Sequence, residues 1–258
     1  MTETTTQAGH NTNQRSLIIA TAGHVDHGKS SLVNKITGTN TDTLREEKER
    51  GLSINLGYAY YNLPATENDV ASGYVIGFVD VPGHADFINN MLAGVGTVDY
   101  ALLVIAADDG IMPQTREHLS ILDLLGISKG VIALTKTDKC NAQQITEVSG
   151  EITELLSSTC LKKAPIFPVS SLTGEGLDTL LEFLQNTLRE TKSDKALQQN
   201  HNPRFLIDRS FSVKGIGTVV TGSLRSGKLH VGDSMLHSGT QQKTKIRGLR
   251  LGTANIRD

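Results

Sequence analysis

Residues 23–30 read GHVDHGKS and fit the pattern G-x-x-x-x-G-K-[ST]. An apolar strand-like run precedes them and a helical run follows, the setting in which this pattern forms a phosphate loop. Backbone N–H groups of such a loop point at phosphate oxygens, and the dipole of the following helix adds to the field. Lys29 is placed to reach the β/γ-phosphates, and the Ser30 hydroxyl can ligate Mg²⁺. The expected phosphate-binding residues are Gly23, His24, Val25, Asp26, His27, Gly28, Lys29, Ser30 and Ser31.

Three further elements follow in order. DVPGH (residues 80–84) closes an apolar strand. Asp80 can hold Mg²⁺ through water, and Gly83, lacking a Cβ, can bring its N–H against a γ-phosphate. His84 then sits beside that phosphate. TKTD (residues 135–138) closes a later apolar strand and resembles the [NT]KxD element with which GTPases read guanine. There the carboxylate, here Asp138, accepts from the guanine N1–H and 2-amino group, while Lys136 stacks its stem along the base beside Thr135. Adenine offers neither donor and would leave the carboxylate unpaired. SSL (Ser170, Ser171, Leu172) ends the series, where a backbone N–H can contact the guanine O6. Four elements in this order make GTP, with GDP as product, the expected nucleotide.

The elements that must position these residues alternate. Strands are expected over 16–21, 53–63, 73–81, 100–107, 130–135 and 164–170. Helices are expected over 29–37, 86–95, 113–126, 142–157 and 177–190. Residues 64–72 read as a turn or short polar loop. Strands alternating with helices predict an α/β domain with a mostly parallel sheet flanked by helices. Residues 1–15 are polar and read as a disordered leader, residues 16–191 as the nucleotide-binding domain, and residues 192–203 as a linker ending in proline. From residue 204 the helical pattern gives way to short β-branched runs punctuated by glycine, the signature of a small β-barrel. With about 55 residues up to Asp258, that barrel is expected to be incomplete.

Composition narrows the classes. The 258-residue chain carries a formal charge of −2, so any RNA contact must come from a local patch. It has no tryptophan and 4% aromatic residues, which argues against a stacking platform for single strands. The two cysteines, Cys140 and Cys160, match no metal-ligand spacing and read as free thiols of a reducing compartment. No apolar run reaches the roughly 18 residues of a membrane helix.

The two histidines and the aspartate of GHVDHGKS, with His after the glycine of DVPGH, resemble translational GTPases of the elongation factor Tu type. That resemblance makes His84 the residue orienting the attacking water, with Val25 and Leu52 flanking it as a gate. EEKERGLSI (residues 46–54) resembles the first switch of the family, with Ser53 in place of its usual threonine; serine retains a hydroxyl for Mg²⁺. The expected catalytic residues are thus His84 and Lys29, and the expected metal ligands Ser30, Ser53 and Asp80.

Within this group, NLGYAY, MLAGVGTVDYALLVIAADDGIMPQTREHL and the threonine of TKTD resemble the selenocysteine-specific elongation factors, as does IDRSFSVKGIGTVVTG at the start of the second domain. The resemblance implies a cytoplasmic, monomeric GTPase that carries selenocysteyl-tRNA to the ribosome at recoded UGA codons. An mRNA hairpin would be read by a C-terminal region that this chain lacks. Asp208, Arg209 and Arg247 are the candidates for an aminoacyl pocket, whose basic character would favour an anionic selenolate over a serine hydroxyl. The alternatives are a generic aminoacyl-tRNA carrier, the tRNA-binding subunit of an initiation factor, a GTPase subunit driving sulfate activation, and a shortened GTP-binding product without delivery function.

Overall fold

The computed structural model describes residues 15–42, 47, 53, 55–63, 74–83, 98, 100–190, 202–251 and 254–256. The leader, the helix expected over 86–95, the loop 64–72, all but the end of the linker, and the side chains of Leu52 and His84 lie outside them. The chain divides into two compact units, Met1–Glu190 and Thr191–Asp258.

The first unit is built around six strands: β1 (Arg15–Ala22), β2 (Gly57–Leu63), β3 (Tyr74–Asp80), β4 (Tyr100–Ala106), β5 (Gly130–Thr135) and β6 (Ile166–Pro168). They form one sheet in the order β2-β3-β1-β4-β5-β6. All neighbours are parallel except β2, which runs antiparallel to β3 at the edge. Among the described residues the α-helices are α1 (Lys29–Thr37), α2 (Pro113–Leu124), α3 (Ala142–Leu156) and α4 (Leu177–Glu190).

Period-2 alternation sends successive strand residues to opposite faces, and each face has its own core. Ala20, Leu103, Ile105, Ile132 and Leu134 pack with Leu119 and Leu122 of α2 and Ile152 and Leu156 of α3. Ile19, Phe78, Leu102, Val104 and Ala133 pack with Leu32, Val33 and Ile36 of α1 and with the α4 stripe Leu177, Leu180, Leu184, Leu188. Every residue of β4 and β5 is buried, as strands covered on both faces must be. Local signals set the helix ends: Pro113 opens α2, an Asn141–Gln144 capping box opens α3, and Gly38 closes α1 in the left-handed region.

Two expected strands are shorter than the sequence suggests. The run 53–63 is strand only from Gly57, which already stands opposite Asp80 at the end of β3, and Ser53 turns its hydroxyl to Ser30 and Asp42. The run 164–170 is strand only over Ile166–Pro168, because Ser170 is drawn into a turn by Glu175 and Gly174.

The second unit holds three antiparallel pairs, the arrangement of a partial barrel: β7 (Arg204–Val213) with β8 (Gly217–Ser226), β9 (Ser234–Leu236) with β10 (Lys243–Lys245), and β11 (Leu249–Leu251) with β12 (Ala254–Ile256). Among its residues whose side chains are described, Ser223 alone is buried.

Phe78 is among the largest fully buried side chains, in the core beneath α1 and α4. Phe78→Ala is expected to lower stability by about 3–5 kcal/mol. All helices described lie in the first unit, so denaturant unfolding followed by far-ultraviolet circular dichroism reads that unit.

Candidate functional site

The strand order turns at β1, which has β3 on one side and β4 on the other. In an open α/β sheet the crevice at such a point, beyond the carboxyl ends of the strands, is where ligands bind. The loop from Gly23 to Gly28 leaves β1 into this crevice and begins α1. Gly23 has φ +128° and lies so close to the Val104 carbonyl that a Cβ would strike it. Gly28, at φ +85°, is the N-cap of α1 and offers no side-chain cap, which leaves first-turn N–H groups of the helix for a ligand.

The loop is held from behind by α2. The Gly23 N–H donates to His118 Nδ1 at 2.9 Å, and the Val25 N–H donates to Gln114 Oε1 at 3.2 Å. His118 can accept there only as a neutral ring, and burial pushes its pKa down to about 4, helped by Lys29 and His24. Sequence reasoning missed both side chains. The available signal was a histidine on the buried stripe Thr115, His118, Leu119, Leu122.

The loop histidines face inward. His27 is fully buried, its Nδ1 3.4 Å from the Val104 carbonyl, and burial together with His24 lowers its pKa to about 4. The two rings meet edge to face at 5.0 Å. The buried ring atoms His27 Nε2 and His24 Nδ1 have no hydrogen-bond partner among the described residues.

Lys29 is buried with its ammonium donating to the Gly23 carbonyl at 3.1 Å and the His24 carbonyl at 2.8 Å. Burial lowers its pKa to about 8, against the opposing pull of Asp80, Asp26 and Asp42. Gly83 lies against this ammonium and against the Val25 N–H, and a Cβ there would overlap both. Asp80, at the end of β3, is 1% exposed. It accepts from Thr21 Oγ1 at 2.8 Å and from Thr41 Oγ1 at 2.6 Å. Burial raises its pKa, and these hydroxyls, that of Ser30 and Lys29 oppose the rise. Ser30 Oγ and Ser53 Oγ are 2.9 Å apart, and Ser53 donates to Asp42 Oδ1 at 2.6 Å. Thr21, Thr41 and Asp42 carry no pattern of their own in the sequence.

Val25, Asp26, Gly28, Lys29, Ser30, Ser31, Asp42, Ser53 and Gly83 line a cavity of about 180 Å³. A second, of about 650 Å³, shares Asp26, Gly28 and Ser31 with it and reaches Thr135, Lys136, Asp138, Ser171 and Leu172. The first four elements predicted from sequence are therefore brought to one groove, with His84 outside the described residues. Thr135 Oγ1 donates to the His27 carbonyl at 2.7 Å and so ties TKTD to the phosphate loop. Lys136 takes the left-handed region at φ 57°, lines the second cavity and points its amine to Asp109 at 3.2 Å. Ser170 Oγ donates to Asp138 Oδ1 at 2.5 Å. The Ser170 N–H is taken by the Glu175 carbonyl, which leaves Ser171 and Leu172 as the source of the backbone contact expected from this triplet. Ser171 Oγ is buried without a partner among the described residues.

In the second unit, Asp208 and Arg209 fall where the β7–β8 register slips, and Asp208 accepts from Thr221 Oγ1 at 2.5 Å. Such a bulge re-aims a side chain. Arg247 is exposed, between β10 and β11.

The family of the elongation factor Tu GTP binding domain matches residues 14–190. The chain is 48% identical over 233 residues to the selenocysteine-specific elongation factor of Escherichia coli (strain K12), covering 90% of this chain and 36% of that protein. A crystal structure of bacterial selenocysteine-specific elongation factor EF-Sec superposes with a TM-score of 0.84 at 34% identity, over 95% of this chain and 40% of that one. The elongation factor SelB of Methanococcus maripaludis, solved with the GTP analogue GppNHp, gives 0.78 at 29% identity, over 95% and 49%. The chain thus spans about a third to a half of the length of these relatives.

The buried histidines set a pH dependence. Well above pH 6.5 His118 is neutral in folded and unfolded chain alike. As pH falls from 6.5 toward 4 the unfolded chain takes up the proton and the folded chain does not, so stability is lost, by up to about 3 kcal/mol for this residue. His118→Gln keeps an acceptor for Gly23 and should narrow the gap between unfolding midpoints measured at pH 7 and near pH 4.5. An unchanged gap would remove His118 as a source of the acid sensitivity.

Proposed function

Since this chain belongs to the family of the elongation factor Tu GTP binding domain, we propose that it binds GTP, hydrolyses it to GDP and phosphate, and serves in delivering selenocysteyl-tRNA to the ribosome at recoded UGA codons. The observation that carries the nucleotide assignment is Asp138. Its Oδ1 is held by Ser170, on a groove continuous with the phosphate loop, so the carboxylate is fixed before a base arrives. Guanine presents two donors to it and adenine none. The Ser171 hydroxyl, without a partner among the described residues, lies on the same cavity.

The residues also suit Mg²⁺. Octahedral magnesium with bonds of about 2.0–2.1 Å sets neighbouring ligands about 2.9 Å apart. Ser30 Oγ and Ser53 Oγ have that spacing at 2.9 Å. These two would hold the ion, with Asp80 behind them through water. When bound, it would neutralise charge developing on the β/γ oxygens. Lys29 exchanges the loop carbonyls for phosphate oxygens, and Gly83 presents its N–H to the γ-phosphate. His84 is assigned to orient the attacking water, with Val25 and Leu52 as its apolar flanks. GTP would order Ser53 and Gly83, and hydrolysis would release both segments.

Support for the delivery role comes from the similarity to selenocysteine-specific factors over 90% of the chain. Asp208, Arg209 and Arg247 are proposed to meet the aminoacyl end, and a cytoplasmic, monomeric protein fits this role. No helix among the described residues is long and apolar enough to cross a membrane.

By equilibrium competition the chain should prefer GTP and GDP over ATP. Asp138→Asn should lose affinity for them on the order of a hundredfold, the effect of two hydrogen bonds to a charged acceptor. Undiminished binding would take the base contact away from Asp138. For the delivery role, the GTP form should protect selenocysteyl-tRNA from deacylation better than seryl-tRNA of the same tRNA. Equal protection would favour a generic aminoacyl-tRNA carrier.

A further inference from the structure

Two acids outside the lining of the larger cavity hold a lysine that belongs to it. Asp108 and Asp109 follow β4, and Lys136 follows β5. The Lys136 ammonium is 3.2 Å from Asp109 Oδ2 and 3.4 Å from Asp108 Oδ1. Lys136 lines the cavity with Thr135, Asp138 and Leu172, and neither acid is among the lining residues. Its charge is therefore satisfied by groups outside that lining. The other end of the residue is fixed as well. Its backbone has φ 57°, which a residue with a Cβ adopts at a cost and keeps only where its surroundings enforce it. Here those surroundings are Thr135, whose hydroxyl donates to the His27 carbonyl at 2.7 Å, and the single 3-10 turn Thr137–Lys139, where the Lys139 N–H donates to the Lys136 carbonyl at 3.0 Å. A lysine held at its backbone and at its ammonium keeps little freedom in the four-carbon stem between them. That stem is the part expected to lie along a base. Asp109 Oδ2 is also 4.0 Å from His27 Nε2, but burial, together with His24, lowers the pKa of that ring to about 4, so near pH 7 the acid's cationic partner is Lys136. Asp108 is shared with Lys139, which donates to it at 3.0 Å, and this makes Asp109 the main holder.

We propose that Asp109, seconded by Asp108, is a positioning residue for nucleotide binding: it fixes the Lys136 stem before the base arrives, so that binding does not have to order it. The inference rests on the nucleotide reading above, whose base contact is Asp138. In this role the two acids touch no nucleotide and act only through Lys136. The opposed reading makes them a clasp between the loops after β4 and β5 that supports the fold, and its effect on binding is then the same whatever side chain stands at position 136.

The test is equilibrium binding of GDP, and of IDP, which lacks the 2-amino group of guanine, to the full chain as wild type, Asp108→Asn with Asp109→Asn, Lys136→Met, and all three changes together. Removing both acids should weaken GDP binding roughly two- to tenfold, the range for ordering one flexible side chain on binding. In the Lys136→Met background, where an unbranched apolar stem has no charge to anchor, removing the acids should change binding by about twofold at most, the scatter of sites that do not interact. GDP and IDP should weaken by the same factor, because the stem meets the ring face that both share. Melting without nucleotide identifies a variant that has lost its fold, and Asp109→Asn alone then carries the same expectations. No loss on removing the acids, or an equal loss in the Lys136→Met background, overturns the positioning role. A GDP-to-IDP ratio altered by removing the acids moves their action to the base edge at Asp138 and overturns it as well. Wild type that binds ADP as tightly as GDP, or binds neither, overturns the nucleotide reading itself.

Discussion

An ammonium group kept out of water needs acceptors on every side, and at Lys29 these are the carbonyls of Gly23 and His24 in its own loop. Much of the site follows from that burial. The loop has to curl back over the lysine, which requires the left-handed Gly28 and a Gly23 pressed against Val104. Gly83 has to be a glycine because the loop backbone at Val25, along with the ammonium, stands where its Cβ would be. Burial also lowers the lysine's pKa to about 8, so the group is poised to regain favourable interactions when anionic oxygens replace the carbonyls.

Hydroxyl groups lock the pieces of the crevice to one another. Thr21 joins the end of β1 to Asp80 and to the Val81 N–H. Thr135 joins the end of β5 to the phosphate loop, and Thr41 joins the segment after α1 to the end of β3. Ser170 fixes the carboxylate of Asp138. A short side chain with one donor and two lone pairs can bridge backbone and carboxylate at close range without adding charge. The sheet supplies the rigidity these bridges need, because β1, β4 and β5 are packed on both faces and cannot shift singly.

The electrostatic balance of the groove is mixed. Lys29 faces Asp26, Asp42 and Asp80, so the phosphate compartment holds more acids than bases among its described residues. Such a surface receives a polyanion well only in company with a cation, which agrees with paired hydroxyls at ligand spacing on its wall. The second unit shows a different balance. Its strands pair in twos, and Ile207, Phe211, Ile216 and Leu236 remain exposed, so its order rests on ladders and turns more than on a core.

The sequence by itself determined the α/β class, the strands and helices that flank each motif, and the identity of the loop that begins α1. These depend on local matters: alternation of apolar residues, glycine where φ is positive, and caps next to helix starts. It also singled out the residues expected to meet a guanine nucleotide, because four short patterns each carry their own chemistry. Tertiary structure decided what holds those patterns in place. His118 and Gln114 lie some 90 residues beyond the loop they support, and nothing local marks them as its partners. Ser53 reads as the start of a strand, yet it lies before β2 with its hydroxyl on Ser30 and Asp42, and Thr41 beside Asp42 donates to Asp80. A hydrogen bond between distant segments leaves no periodicity in either one, so only the folded chain reveals it.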